Sequence, residues 1–127
     1  MPVKIKALER GEPGVAGGGI KKWYATTAKQ DERNIEALTT SIEKISTVSG
    51  ADIRAVLYAL VDVCIEELSY GNVVRIGELG NLRVGVSSEG VATQEEVTTA
   101  LIKKARILFA PGSRLKVMRD TLTYQKV

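Results

Sequence analysis

The residues best suited to chemistry are cations that alternate with apolar residues or stand at the start of a predicted helix. In a strand every second side chain lies on the same face, so such cations can point together toward a ligand. Backbone N–H groups at glycines and at a helix start can also bind an anion. The candidate phosphate-binding residues are Arg75, Gly80, Asn81, Arg83, Lys103, Lys104, Arg106, Gly112, Ser113, Arg114 and Lys116.

Each of these candidates also has a purely structural interpretation. Gly80 is equally typical of a turn or bulge, and Gly112 of the break before a helix. The basic residues of the run 103–106 could instead keep a strand edge from aggregating. Lys104 and Arg106 lie two residues apart and are predicted to share a face, with Lys103 on the other.

Positive charge is concentrated at the two ends of the sequence. The net charge is only +3, but residues 1–30 carry six Lys and Arg against two acids, and residues 103–127 carry seven against one. The residues between these ends are net acidic. If the fold brings both ends to one face, we expect a polyanion as the partner.

The composition argues against catalysis. The chain has no histidine and one cysteine, so it lacks the commonest general base and the commonest metal ligand. Glu66 and Glu67, like Glu95 and Glu96, are adjacent carboxylates, but neighbours on a helix point in different directions and need not share a site. We therefore expect no enzyme, metal site or cofactor, and no small-molecule substrate.

The location expected from the sequence is the cytoplasm. No stretch approaches the roughly 20 apolar residues of a membrane span, and the first residues lack the apolar core of a signal peptide. Cys64 falls inside an apolar helical stripe and is predicted to be buried rather than reactive. We therefore predict a globular protein that lies in a reducing environment and does not contact a membrane.

Apolar periodicity predicts three helices. The strongest signal begins at the N-cap Ser49 and ends at Gly71, with apolar residues on more than one side. A shorter helix begins near Asn34 and a third covers residues 113–120. Since one short hairpin cannot cover this apolar surface, the long helix predicts an obligate partner chain.

Strand signals surround these helices. Residues 3–8 and 21–26 predict two strands joined by a glycine-rich loop, and residues 121–126 a last strand that pairs with the first. Residues 73–76 and 82–84 predict a hairpin, and residues 106–110 a returning strand. Between these last two, residues 94–102 are expected to form a short helix or a frayed arm.

The order of these elements resembles that of the HU and integration host factor family. Residues 47–52, TVSGAD, resemble the segment that opens the family's second helix. Residues 71–84, GNVVRIGELGNLRV, are similar to its glycine-rich hairpin motif, and residues 109–116, FAPGSRLK, to its Phe-x-Pro-Gly-x-x-Leu-Lys motif. The first thirty residues resemble the N-terminal extension of divergent HU-like proteins of Bacteroides-type bacteria.

The resemblance implies an α+β fold with two N-terminal helices, a β-sheet with an arm and a short C-terminal helix, in an intertwined homodimer. One HU-like domain would fill residues 1–127, with a β extension over 1–30, a core over 34–120 and an arm over 85–102. The implied function is binding of double-stranded DNA without sequence specificity, as in a nucleoid protein.

The arm departs from the family pattern. It lacks the family's basic run and the tip proline that intercalates and kinks the duplex, and it carries Glu89, Glu95 and Glu96 instead. Leu79 and Leu82 replace two family phenylalanines. Two hypotheses remain open: a DNA-binding protein that bends DNA little, or an HU-fold dimer that has lost most DNA affinity and serves as a structural or protein-interaction module.

Overall fold

The computed structural model describes residues 2–127, which divide into two compact units. The terminal unit combines the residues up to Arg33 with Met118–Val127, and the core unit is Asn34–Val117. Among residues 2–127, no helix is both long enough and apolar enough to cross a membrane.

The terminal unit contains a three-stranded sheet. Strand β1 (Val3–Arg10) pairs antiparallel with β2 (Lys22–Thr27), and β6 (Tyr124–Lys126) pairs parallel with β1. A loop with one 3₁₀ turn, Ala16–Gly18, joins the first two strands. The predicted strands and the predicted pairing of the chain's first and last strands are both confirmed.

The core unit begins with two helices whose starts are capped as predicted. Helix α1 (Ile35–Ile45) has Asn34 as its N-cap, whose side chain accepts a 3.0 Å bond from the Ala37 N–H. Helix α2 (Gly50–Ser69) has Ser49, whose hydroxyl accepts from the Asp52 N–H at 3.3 Å. Each cap satisfies a backbone donor that lacks a partner within its own helix.

Helix α2 ends in a Schellman motif. Gly71 has a φ of +80°, the left-handed conformation that glycine adopts without strain. Its N–H donates to the Leu68 carbonyl, and the Asn72 N–H donates to the Glu67 carbonyl. This closure turns the chain directly into the second sheet.

The core sheet has the order β3-β4-β5. Strand β3 (Val74–Ile76) forms the predicted hairpin with β4 (Gly80–Ser88), and β5 (Ile102–Pro111) runs antiparallel to β4 along its whole length. Both β4 and β5 are longer than predicted, so the first part of the expected arm is a paired two-stranded ribbon.

The tip of the ribbon is not the single short helix that the sequence allowed. Two separate 3₁₀ turns, Gln94–Glu96 and Thr99–Leu101, occupy it, and the Glu89 N–H donates to the Leu101 carbonyl at 3.0 Å to close the ladder. Helix α3 (Ser113–Asp120) follows β5 with the predicted bounds. Its first residues belong to the core unit.

Few side chains are buried in the single chain. Among the described residues only Thr39, Ile53, Cys64 and Gly80 are buried. Cys64 is thus a buried thiol, as predicted. Much of the apolar surface of α2 is exposed, with Val56 64% accessible.

Candidate nucleic-acid interface

The register of the core sheet brings five of the predicted residues to one face. Arg75 pairs with Asn81, and residues directly opposite each other in an antiparallel pair lie on the same face. On β5 the positions opposite Gly85 and Ser87 are Arg106 and Lys104. The cationic face of the core sheet therefore carries Arg75, Asn81, Arg83, Lys104 and Arg106.

The opposite face of the same sheet is apolar. Leu82 pairs with Phe109 and Val84 with Ile107, and these alternate with the cationic face along both strands. Ile65 of α2 lines a cavity together with Val84 and Ile107, so the helix lies on this side. The packing of α2 therefore directs the cations away from the core.

The predicted cations are free to meet a ligand. Arg75, Arg83, Lys104 and Arg106 are exposed. Among residues 2–127, none of the predicted cations forms an ion pair with a carboxylate, and the strand positions of this face hold no acid. A cavity of about 220 Å³ is lined by Arg75, Arg83 and residues 108–110 of β5. The face is therefore of one sign and uncompensated.

Gly85 helps to position the cationic face, and this role of Gly85 was not predicted from the sequence. A Cβ at Gly85 would lie 2.9 Å from Leu108 Cδ1 and 3.9 Å from Arg106 Nη2. Because glycine leaves this space open, the side chains of Arg106 and Leu108 lie across β4. Only the pairing of β4 with β5 reveals this role.

Lys103 occupies a β-bulge. Ser87 pairs with Lys104 but Ser88 pairs with Ile102, so Lys103 is an extra residue on β5. Such a residue has no partner in the ladder, and the strand bends and twists more strongly there. The simple alternation that predicted opposite faces for Lys103 and Lys104 does not continue through this point.

The structure accounts for Gly80 by packing. Gly80 is buried with a φ of +146°, and an added Cβ would collide with the Ala110 carbonyl and lie 2.8 Å from the Phe109 ring. Its lack of a side chain lets β4 approach β5 closely. The neighbouring Asn81 is half-buried on the cationic face.

The start of α3 is already in contact with a carboxylate. Gly112 has no room for a Cβ against the Glu78 backbone, and its N–H donates to the Leu79 carbonyl at 3.0 Å. The Ser113 hydroxyl donates to Glu78 Oε2 at 2.6 Å. A phosphate at this helix start would therefore lie close to the Glu78 carboxylate.

The two cations of α3 are exposed but not adjacent. Arg114 and Lys116 are two residues apart on a helix, so their side chains point in different directions. Arg114 lines a cavity with Glu78 and Leu115. The helix start thus offers dispersed charge rather than a single focused site.

The ribbon tip has the opposite charge. Glu89, Glu95 and Glu96 are all exposed there, and the Thr93 hydroxyl donates to Glu96 Oε1 at 3.0 Å. Arg75 and Arg83 lie toward the base of the ribbon and Lys103 and Lys104 at its last paired positions, next to the acidic tip. Because a phosphate has the same charge as these glutamates, the tip would repel it.

Comparisons with known proteins agree with this architecture. A crystal structure of a candidate bacterial DNA-binding protein from Bacteroides vulgatus ATCC 8482 superposes with a TM-score of 0.60 at 18% sequence identity. The match covers 100% of this chain and 49% of that one, so the chain spans about half the length of that protein. The sequence is not significantly similar to any curated protein.

The family comparison covers nearly the whole sequence and includes both units. The family described as an HU domain fused to wHTH, Ig, or glycine-rich motif matches residues 1–126. The resemblance to HU-like proteins expected from the hairpin and FAPGSRLK motifs is thereby confirmed. This chain belongs to the HU-HIG family.

Proposed function

We propose that this chain binds double-stranded DNA through the phosphate backbone, with little sequence preference, as an architectural protein of the bacterial nucleoid. Membership in an HU-type family suggests DNA as the ligand. The observation that carries the proposal is the core-sheet register, which gathers Arg75, Arg83, Lys104 and Arg106 on one acid-free face. Uncompensated cations on a sheet face bind a polyanion without reading its sequence.

The contacts are assigned in two groups. The cationic face of the core sheet makes the main phosphate contacts, and Lys103 extends the cationic surface toward the ribbon tip. Arg114 and Lys116 add charge near the α3 start, where Glu78 opposes a close phosphate contact. Gly80, Gly85 and Gly112 support the site by allowing close packing. All contacts are to phosphate, so binding is steeply dependent on salt.

The functional unit is proposed to be a homodimer. The apolar face of the core sheet is poorly covered in the single chain, with Ile107 71% and Phe109 53% exposed. Val61 and Val63 of α2 are each 53% exposed. Large apolar side chains left exposed in the single chain suggest an interface, and a second copy is the occupant consistent with an intertwined HU-type assembly.

The bound duplex is proposed to stay nearly straight. Kinking DNA requires a wedge that is held in the minor groove, and the cost of unstacking a base step is about a few kcal/mol. The ribbon tip has no proline and no cation, and its three glutamates are repelled by phosphate. The binding surface is therefore the sheet rather than the arm.

The deciding experiment is a titration of the full chain with random-sequence duplex over a range of salt concentrations. We expect binding at low salt with a linear fall of log K against log salt, and the same affinity for duplexes of different sequence. A protein that fails to bind duplex at low salt would instead be the structural or protein-interaction module. Strong discrimination between sequences would also contradict the proposal.

A further inference from the structure

The terminal sheet has two faces of different chemistry. Val3 and Ile5 lie on one face of β1 together with Trp23 of β2 and Tyr124 of β6, by the pairing of the three strands. Lys4, Lys6 and Arg10 alternate with them and lie on the other face. The first face is largely apolar but also carries Glu9 and Lys126, whereas the charged residues of the second face have a single sign.

The charged residues on the other face of this sheet are all cations. Arg10 pairs with Lys22, and Lys4 pairs with Gln125. Within the described strands this face contains no acidic residue. Its members are Lys4, Lys6, Leu8, Arg10, Lys22, Tyr24, Thr26 and Gln125.

Most of this charge is available. Lys4, Lys6, Arg10 and Lys22 are all exposed. Lys22 forms a 2.7 Å ion pair with Glu12 from the loop, whereas the three cations of β1 have no carboxylate partner among residues 2–127. An ordinary solvated face mixes both signs, which favours solubility without attracting polyanions. The uncompensated charge is therefore that of Lys4, Lys6 and Arg10.

Arg10 is held against the sheet. Its guanidinium carbon lies 4.6 Å from the centre of the Tyr24 ring, a cation–π contact between neighbouring strands. This contact orients the guanidinium while leaving its donors open, so less side-chain entropy is lost when it binds an anion. Positioned arginine of this kind suits phosphate oxygens.

We propose that the cationic face of the terminal sheet is a second DNA-backbone contact surface, separate from the core sheet. The proposal rests on the proposed function, since both surfaces engage the same duplex class. Lys4, Lys6 and Arg10 contact phosphates and release counterions, and Lys22 remains engaged with Glu12. The terminal unit thereby increases affinity and salt dependence without adding sequence specificity.

The test compares salt slopes of the full chain with those of Lys4→Gln/Lys6→Gln/Arg10→Gln. We expect the slope to fall by about two to three per bound protomer. The charge-preserving variant Lys4→Arg/Lys6→Arg/Arg10→Lys should keep the original slope. A matched control, Lys29→Gln/Arg33→Gln/Lys44→Gln, removes the same net charge from exposed positions outside both sheets and should change the slope much less.

Folding of the sheet is monitored in the same samples. Trp23 is the only tryptophan and lies on the opposite face, so its emission reports whether the terminal sheet is intact. If the triple variant loses that signal, Lys4→Gln/Lys6→Gln, which keeps the Arg10–Tyr24 contact, should still lower the slope by about two.

The two proposals fail differently. If the original chain does not bind duplex at low salt, the proposed function fails and this inference with it. If the original chain binds and the folded triple variant has an unchanged slope, the terminal-sheet surface alone is refuted. A fall of equal size in the matched control would also refute it, because net charge and not this face would then set the affinity.

Discussion

The Ser113 hydroxyl donates a 2.6 Å hydrogen bond to the Glu78 carboxylate, which joins the β3–β4 turn to the start of α3. The contact places a negative charge at the helix end where an HU-type protein is expected to meet phosphate. A carboxylate there stabilises the helix dipole but competes with a phosphate for the same donors. The α3 start is therefore weakened as a phosphate site by a residue of this chain.

Replacing Glu78 with Gln should strengthen DNA binding. Gln can still accept from Ser113, so the change removes the charge and keeps the contact. We expect about two- to fivefold tighter binding at low salt, corresponding to the typical worth of one charge at a helix end. Fluorescence anisotropy with labelled duplex measures the effect, and Glu32→Gln is the control of equal charge. Equal affinity in the two variants would show that the α3 start is not part of the DNA interface.

The double change Lys104→Ala with Arg106→Ala should weaken binding uniformly across sequences. Both side chains lie on the cationic face of the core sheet, and phosphate contacts carry no base information. The slope of log K against log salt should fall by about two per bound protomer. Competition between duplexes of different sequence checks the uniformity. An unchanged affinity would place the DNA elsewhere on the molecule.

Gly80→Ala should destabilise the core unit by on the order of 2 kcal/mol. The new methyl group would collide with the Ala110 carbonyl and the Phe109 ring, and alanine rarely adopts the backbone conformation of Gly80. Urea unfolding followed by circular dichroism measures the loss. Gly90→Ala is the matched control, since a Cβ there has nothing within 4 Å. Similar stabilities for the two variants would show that the close β4–β5 approach relaxes easily.

Val61→Asp should disrupt the dimer. Val61 is 53% exposed on α2 in the single chain, and a carboxylate buried in a dimer interface would lack a partner. Analytical ultracentrifugation at micromolar concentration should show a dimer for the original chain and either a monomer or unfolded material for the variant. Val15→Asp, in the glycine-rich loop of the terminal unit, should remain dimeric. A folded monomer of the original chain would contradict the proposal directly.

DNA bound to the protein should keep its ends apart. The acidic ribbon tip provides no held wedge, so no base step is unstacked. Energy transfer between dyes on the two ends of a short duplex should change little on saturation with protein. A large rise in transfer efficiency would show that the duplex is bent and that the ribbon takes part.

The features that could be predicted from the sequence are those with local determinants. Asn34 and Ser49 cap helices because their own oxygens reach backbone donors three residues on, and Gly71 ends α2 because of its own conformational freedom. Helix bounds, the hairpin and the alternation that separates Arg83 from its apolar neighbours follow from such short-range rules. These features place most of the cationic face without knowledge of the tertiary structure.

Features that depend on distant partners could not be predicted. The bulge at Lys103 exists only in relation to Ser87 and Ser88, and β5 extends to Ile102 because β4 supplies its hydrogen-bond partners. The bond from Ser113 to Glu78 joins residues 35 positions apart. Nothing in the sequence near Ser113 indicates that its hydroxyl is already engaged.

The parallel pairing of Val3 with Tyr124 has a consequence for biosynthesis. On the ribosome β1 and β2 are made before the core unit and can form their hairpin before it folds, with Lys4, Lys6 and Arg10 on one face. Strand β6 becomes available only after the entire core unit has been translated, and units generally fold in the order in which they emerge. While the core unit folds, the edge of β1 that later pairs with β6 therefore has no strand partner. A chain released before β6 is made would carry the basic face on a two-stranded hairpin, which alone is only marginally stable in water.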